Sequence, residues 1–353
     1  MMKPFNIAED TITTQITVTK GFFDGGAGTK AGSNLSTSSL SSTQKSYYYN
    51  LQYNSKDHFS VTYGHMGGSG SAVEDASTEG TTQAIYKQFY NFTETSAQNL
   101  RDGAGWSMID GTNGANAVTQ NDVYIIAAER LQMKDRLNPG TWTISLSGSN
   151  SAGADLSLSL TDDSKTVDAE SAPFGPRYNI VSGSAGSVVT AYTSKTYGFF
   201  YPDAGLMVLS ANALSSSMPG TLGYNQSGSG YGLGAGNGFM PDVRVNDAAD
   251  NANKIRTALE LGSVTMRSEE QQYIYDYFCR AKASEFNLSQ NITFWSGSTY
   301  EIRHSDMVSN PQVYISEVGL YDNQNNLMAV GRLSSPINKN FSSEAIVKVR
   351  LTY

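Results

Sequence analysis

The sequence is short of charge and of cysteine, and each shortage excludes a class of protein. Only 16% of its 353 residues are charged, which is thin for an enzyme of this size. The single cysteine, Cys279, excludes an intrachain disulfide and a thiolate metal site within one chain. The formal net charge is −8, and an acidic chain lacks the positive field that holds phosphates, so nucleic acid is not an expected partner.

The sequence also lacks long apolar runs. It has no apolar run of 18 residues, and its first residues show no basic region followed by an apolar one. We therefore expect no transmembrane helix, no membrane partner and no signal peptide, in a protein made and used in solution. What the chain does have is 34 glycines and 21 tyrosines against 14 phenylalanines. This mix favours a β-protein or an assembly subunit, because tyrosine suits half-buried surfaces.

The pattern of apolar residues predicts a mainly β fold with a few short α-helices. Alternation indicates a half-buried strand over residues 11–20, with Ile12, Ile16 and Val18 on one face. A hairpin is expected at 47–63, and a turn at 137–140 where proline is followed by glycine. Further strands are expected at 122–127, 141–146, 156–160, 188–192, 197–201, 206–210 and from about 287 to the last residue.

Three helices are predicted from apolar residues at helical spacing. The first has Ile85, Phe89 and Phe92 on its stripe, and the second has Ala252, Ile255 and Leu259, with Gly262 as its stop. The third begins at Ser268, where Gln271 completes a capping box, Glu269 and Glu270 favour the positive end of the dipole, and the buried stripe is Ile274, Phe278 and Ala281.

These elements predict two β regions, sandwich- or barrel-like, with long loops rich in glycine and serine. Residues 1–149 form an N-terminal β region with a long flexible loop at 21–43. Residues 150–240 form a middle β region ending in a glycine-rich loop at 222–240. Residues 241–353 form two helices followed by a C-terminal sheet.

A search for chemistry yields no catalytic, cofactor-binding or metal-binding residue. His58, His65 and His304 lack a spacing that fixes ligand geometry, even with Asp57 or Glu74 added. The sequence GYGLGA at 230–235 lacks the strand and helix that a dinucleotide loop needs on its flanks. The pairs Asp162–Asp163 and Glu269–Glu270 are interpreted as structural, and Cys279 as a small buried side chain.

The last forty residues are strongly patterned without offering any chemistry. In a strand, Val313 and Ile315 would lie on one face and Tyr314, Val318 and Leu320 on the other. Because both faces carry apolar residues, the pattern predicts a strand covered on both faces. DNQNN predicts a turn and LMAVGRL a returning strand. In the final strand, Ala345, Val347, Val349, Leu351 and Tyr353 face one way, which predicts that the C-terminus is tied into a sheet.

These motifs resemble the C-terminal segment of a family of virion structural proteins in contractile-tailed bacteriophages, notably phages of marine bacteria. The matching pieces are Glu317–Asp322 (EVGLYD), Ala329–Ser334 (AVGRLS), Pro336 to Phe341 (P-x-x-K-x-F) and Ile346–Leu351 (IVKVRL). A related E-[IV]-G-L-[FY] hairpin occurs in phage tail-fibre collar proteins. The resemblance also covers FSVTYGHMGGSGS, NDVYIIAAERLQMKDRLNPGTWTISL and YGFFYPDAGLMVLSANAL, and it is weakest over 21–45 and 220–262.

The resemblance implies a non-enzymatic structural or assembly subunit of a tailed phage particle, with no cofactor. The expected position is the tail, at the baseplate or a fibre attachment, and the alternatives are the neck or the capsid surface. The expected partners are other virion structural proteins and copies of itself in a symmetric assembly, formed in the cytoplasm of the bacterial host. Segments 21–43 and 222–240 are expected to order against neighbours.

Two other classes of function remain open. A tail protein could bind host-surface glycan by aromatic stacking, although Trp106, Trp142 and Trp295 are few for that purpose. An enzyme that degrades glycan or peptidoglycan would need an exposed carboxylate pair in a cleft.

Overall fold

The computed structural model describes residues 3–4, 6–24, 36–37, 48–53, 56–66, 81–94, 105–149, 155–218, 248–297 and 301–353. Over these ranges the protein is mainly β-structure with a few short helices, as predicted. The chain forms two compact units. The central unit is Val18–Glu270, and the terminal unit combines Met1–Thr17 with Gln271–Tyr353.

The described helices and strands have the following bounds. The α-helices are α1 (Ile7–Asp10), α2 (Thr81–Glu94), α3 (Arg130–Met133), α4 (Ala211–Ser217) and α5 (Ala248–Leu261). The strands up to residue 162 are β1 (Thr11–Asp24), β2 (Ser36–Thr37), β3 (Tyr48–Tyr53), β4 (Lys56–His65), β5 (Ser107–Met108), β6 (Val118–Thr119), β7 (Asp122–Ala128), β8 (Arg136–Leu137), β9 (Thr143–Ser149) and β10 (Asp155–Asp162). The later strands are β11 (Glu170–Ala172), β12 (Gly175–Ser184), β13 (Ser187–Val188), β14 (Gly198–Tyr201), β15 (Leu206–Ser210), β16 (Ser263–Ala281), β17 (Trp295–Ser296), β18 (Glu301–Ile302), β19 (Val313–Tyr321), β20 (Leu327–Lys339) and β21 (Ala345–Thr352).

The central unit is built on one antiparallel sheet that curves around a helix. Its strands follow the order β16, β9, β10, β12, β14, β15, β7, β4, β3 and β2. Helix α5 packs against β9 and also against β3 and β4. Because β9 lies near one end of this order and β3 near the other, the sheet must bend until both sides reach the helix. Side chains from both sides, Phe59 and Ile144 among them, surround one small gap beside Leu259 of α5.

The middle strands of this sheet are covered on both faces. Val123 and Ile125 of β7 belong to an apolar cluster that α2 closes with Ile85. The alternate residues, such as Tyr124, belong to a second and larger cluster that includes α4 and α5. All five residues of β15, the LMVLS run, are buried, which is why the first four are apolar without alternation, and the fifth, Ser210, donates a hydrogen bond to Gln120.

Most of the predicted elements are confirmed. The hairpin at 47–63 is β3 and β4, with Leu51 opposite Phe59. The turn before β9 is present, and Gly140 supplies the positive φ of 72° that it requires. Trp142 is in the core, as expected, with its ring 5.4 Å from that of Phe200.

Two of the three predicted helices are also confirmed. They are α2 and α5, and Gly262 follows the last residue of α5 as predicted. Phe92, which was predicted to lie on the apolar stripe of α2, is exposed instead. Its ring contacts that of Phe174, with 4.3 Å between the ring centroids.

The prediction of a third helix starting at Ser268 is wrong, because these residues lie in β16. Ile274 and Phe278 are four residues apart, a spacing that shares a face in a strand as well as in a helix. The segment is rich in tyrosine and phenylalanine, which favour strands. Eight consecutive residues pair with β21, from Ile274 opposite Thr352 to Ala281 opposite Ala345, and this long-range pairing prevails over the local capping signal.

The structure differs from the sequence-based expectations at the strand expected at 188–192, in the exposure of β1 and in the division of the chain into units. The strand expected at 188–192 ends at Val188, and turns follow it. Strand β1 is present, but Ile12 and Ile16 are exposed rather than half-buried. The compact units have other boundaries than the three predicted regions, since β9 and β10 pair across the expected division at residue 149.

A close approach of two backbones at Gly262 provides a test of the central unit. A Cβ added there would lie 1.7 Å from the carbonyl oxygen of Ser145 in β9. We expect Gly262→Ala to reduce the free energy of unfolding by on the order of 3 kcal/mol, because backbone must move to admit the methyl group. Urea denaturation measures this loss. Gly331→Ala is the control, since its nearest neighbour would be a Val349 methyl carbon at 3.5 Å, and an equal loss in both variants would contradict the prediction.

Candidate interaction surface

The two units differ sharply in how they bury apolar side chains. Of 42 buried apolar residues among those described, only Ala281, Phe294, Ala345 and Val347 belong to the terminal unit. Both core clusters are made of residues from the central unit. A unit of about a hundred residues ordinarily needs a core of its own, because apolar burial is the main favourable term in folding.

Exposed apolar side chains have the opposite distribution. Eighteen large ones are exposed among the described residues, and thirteen of these belong to the terminal unit. The thirteen are Ile12, Ile16, Tyr273, Ile292, Val308, Tyr314, Tyr321, Leu327, Met328, Val330, Phe341, Ile346 and Tyr353. Concentrations of this kind mark binding surfaces, whereas scattered single apolar residues are ordinary.

The hairpin of β19 and β20 carries the densest group of these residues. Register places Tyr321 opposite Leu327 and Val330 opposite Gly319. Together with Tyr314, and with Met328 at the irregularity beside them, these exposed apolar residues form what is here named the hairpin face. The strand predicted to be covered on both faces is therefore covered on one face only.

Gly319 brings the apolar groups of the hairpin face together. A Cβ on Gly319 would lie 2.9 Å from the Tyr321 ring and 3.2 Å from a Leu327 methyl carbon. The side chains of Tyr321 and Leu327 therefore both lie over Gly319, in the space that a larger side chain would fill. An ion pair from Glu317 to Arg332, with 2.9 Å between oxygen and nitrogen, borders this group along the strands.

The turn at the end of the hairpin is fixed by one carboxylate. Asp322 accepts hydrogen bonds from the backbone amides of Gln324 and Asn326, at 2.8 Å and 2.7 Å, and from the side-chain amide of Asn326. The side-chain and backbone donors of Asn326 are the main reason that the pKa of Asp322 lies below its usual value. The predicted DNQNN turn is confirmed, and it holds the hairpin in a defined shape.

The other end of the hairpin is anchored by a buried lysine. The Lys339 ammonium donates to the side-chain oxygen of Asn287 at 2.6 Å and to the carbonyl oxygens of Asn340 and Ala283 at 2.8 Å and 3.1 Å. Its side chain is fully buried, and each of its three N–H groups has an oxygen acceptor. This contact ties the end of β20 to the turn after β16.

Ion pairs join strands β16 and β21 in addition to their backbone pairing. Asp276 accepts hydrogen bonds from Arg350 at 2.7 Å and 3.0 Å, and Lys348 lies 2.8 Å from the same carboxylate. The two cations cover the carboxylate and hold its pKa well below its usual range, Arg350 first and Lys348 second. The predicted inward face of β21 is confirmed for Ala345 and Val347, which are buried, whereas Tyr353 is exposed. The C-terminus is tied into the sheet as predicted, through hydrogen bonds between the backbones of Tyr353 and Tyr273.

The paired aspartates Asp162 and Asp163 form hydrogen bonds with other residues of the same chain. Asp162 accepts from the backbone amide of Gly140 through both oxygens, at 2.9 Å and 2.8 Å. Asp163 accepts from the backbone and side-chain amides of Asn179. Burial raises the pKa of both carboxyls against these hydrogen bonds. Asp162 therefore ties β10 to the turn before β9, and Asp163 ties the end of β10 to β12.

The pair Glu269–Glu270 was predicted to lie at the positive end of a helix dipole, and this is wrong because both residues lie in strand β16. Glu269 instead binds Arg136 at 2.5 Å, and Glu270 binds Lys20. Cys279 is likewise in β16 rather than in a helix; it is half-buried opposite Val347, and burial raises the pKa of its thiol.

The three histidines lie apart in the structure. His58 is buried, with its ring 2.9 Å from the carbonyl oxygen of Lys56. His65 lies 3.6 Å from Asp122, and His304 is exposed beside a 3-10 turn. Over the described ranges, no group of three or more histidine, cysteine, aspartate or glutamate residues has an arrangement that would hold a metal ion.

Several predictions fall outside the described residues. Of the segment 21–43, predicted to order against neighbours, the structure describes the backbone of residues 21–24 and 36–37. The loop 222–240, the GYGLGA sequence within it and Glu74 all lie outside. In the described part of the chain, no helix has the length and apolarity needed to cross a membrane.

Comparison with known proteins gives no relative. No family model matches the chain, and no curated protein or solved structure is significantly similar to it. We therefore infer function from the chain's own residues and from the motifs of its C-terminal strands.

The ion pairs of Asp276 predict how acid affects the terminal unit. Because its pKa is lowered by folding, the stability that this carboxylate contributes is present above its unfolded value of about 4 and is lost as the pH falls further. We expect Asp276→Asn to lower the urea midpoint at pH 7, and we expect the gap to the unchanged protein to narrow as the pH falls from 5 to 2.5 without closing, because the folded-state pKa lies lower still. A gap of the same size at pH 7 and at pH 2.5 would contradict this account.

Proposed function

We propose that this protein is a non-enzymatic structural subunit of a tailed bacteriophage particle, located in the virion and acting through contacts with other subunits. The observation that carries the proposal is the terminal unit, whose described residues include thirteen large apolar side chains in water and four buried apolar residues. Such a unit gains stability when other chains cover it. The C-terminal motifs that resemble a phage structural family lie in the same unit, between Glu317 and Leu351.

The tail, at the baseplate or a fibre attachment, is the position that we propose within the particle. The basis is the similarity of the EVGLYD hairpin to that of tail-fibre collar proteins, and here this hairpin is β19 with its turn. A protein at such a site is held by many modest contacts, because repetition in a symmetric assembly multiplies weak affinities. Its partners are then other virion proteins and copies of itself.

The contacts of the acidic residues support a role without chemistry. Asp162, Asp163 and Asp276 each bind a backbone amide, a side-chain amide or a cation of the same chain. A carboxylate pair for glycan hydrolysis has to face a cleft with room for the sugar. Both carboxylates of the Asp162–Asp163 pair are buried instead.

A row of tyrosines favours one second candidate, binding of a host-surface glycan. Tyr273, Tyr275 and Tyr277 alternate along β16, and Tyr353 lies 5.5 Å from Tyr275 between ring centroids. Tyr273 and Tyr353 are exposed, and aromatic faces can stack on sugar rings. Trp106 and Trp142, by contrast, are both buried and unable to serve.

Localisation in purified particles tests the structural role. We expect antibody against this chain to label intact virions at the tail end, and peptides of the chain to be present at several copies per particle. Label at the neck or on the capsid would correct the position while leaving the structural role in place. Absence of the chain from mature particles would overturn it.

Binding to host cells separates the second candidate from the first. If the tyrosine row holds glycan, the labelled chain should bind host cells, and Tyr273→Ala with Tyr353→Ala should weaken that binding at least tenfold. The control is Tyr48→Ala, which removes an exposed tyrosine of the central unit. Failure of the unmodified chain to bind would remove this candidate.

A further inference from the structure

We infer that the hairpin face, formed by Tyr314, Tyr321, Leu327, Met328 and Val330, is the surface through which the terminal unit binds a second copy of this chain. The inference deepens the proposed function and rests on it. The proposed function says only that the chain contacts other subunits, whereas this inference names the surface and the chain that binds it.

The hairpin is incomplete as a sheet. In the part of the chain that the structure describes, β19 and β20 pair only with each other. A two-stranded hairpin is at most marginally stable in water unless further strands or another layer cover it. One face is already covered, since Ile315, Val318 and Leu320 are half-buried, and the hairpin face is the side left open. What is missing is therefore a layer over that face.

The size of the hairpin face matches what a subunit contact needs. Its five side chains are between 48% and 68% exposed. At roughly 100 Å² of accessible surface each, they offer roughly 500 Å² of apolar area. An interface of standard size buries roughly 800 Å² on each partner, and somewhat more than half of that is apolar. The face thus supplies the apolar share of one such contact.

The distribution of charge favours a second copy over a partner of opposite charge. The terminal unit has eight Lys and Arg residues against nine Asp and Glu residues, a net charge of −1. The central unit has 16 against 23, a net charge of −7. Copies that meet through their terminal units therefore bring nearly neutral surfaces together, whereas contact through the central units would oppose two negative fields.

The border of the hairpin face is also compatible with its own copy. Glu317 and Arg332 stand opposite each other and are both exposed. In a two-fold contact, a surface bordered by one acid and one base can place the acid of each copy near the base of the other. A partner of one dominant charge would leave one of these two groups beside a like charge.

Sedimentation of variant chains tests this contact, with controls matched in residue type. We expect the unmodified chain to self-associate at micromolar concentration, and the double variant Leu327→Glu with Val330→Glu to weaken its self-association at least a hundredfold. The control is Leu131→Glu with Val189→Glu in the central unit, where these two side chains are 74% and 82% exposed. The control should associate as the unmodified chain does. Folding of each variant is checked by circular dichroism and urea denaturation.

Hydrogen exchange provides a second measurement that needs no variant. Raising the concentration of the unmodified chain through its association range should slow amide exchange in β19 and β20 and leave β7 and β15 unchanged. A chain that stays monomeric at 100 micromolar, or a folded double variant that associates undiminished, overturns the inference. A monomeric chain that is present in particles would do so while leaving the proposed function intact.

Discussion

An apolar side chain on a strand is stable only when a second layer covers the face on which it stands, because each square ångström left in water forgoes about 25 cal/mol. The central unit meets this condition on both sides of its middle strands. Helix α2 covers Val123 and Ile125, and the curved sheet encloses α5 against the alternate residues. The terminal unit meets it only in part, and its proposed role follows from that difference.

Polar contacts do different work in the two units. In the central unit they close turns and fix helix ends, as when Arg177 bridges Glu94 at the end of α2 and Glu170 of β11. In the terminal unit, where four of the described apolar residues are buried, they hold strands and turns together. Lys339 and Asp322 fix the two ends of the hairpin, and Asp276 joins β16 to β21. The result is a hairpin of defined shape, and such preorganisation would lower the cost of the proposed contact.

The proposed assembly by repetition suits this division into two units. In the proposed subunit, the folded central unit provides stability that does not depend on neighbours, and the open apolar face of the terminal unit provides the contact. Each contact can be modest, since closed symmetry adds the affinities of many copies. In the proposed contact between copies, the near-neutral charge of the terminal unit would reduce the repulsion between two acidic chains.

Alternation and turn chemistry in the sequence determined which residues form strands and which share a face. They located the hairpin of β3 and β4, the DNQNN turn and the inward set from Ala345 to Leu351, because these features depend on neighbours in the chain. Only the tertiary structure decided that Ile274 and Phe278 lie in a strand, since that depends on pairing with β21. It also decided that Ile12, Tyr314 and Val330 stay in water. Periodicity shows which side chains share a face, but whether that face is covered depends on elements distant in sequence or on another chain.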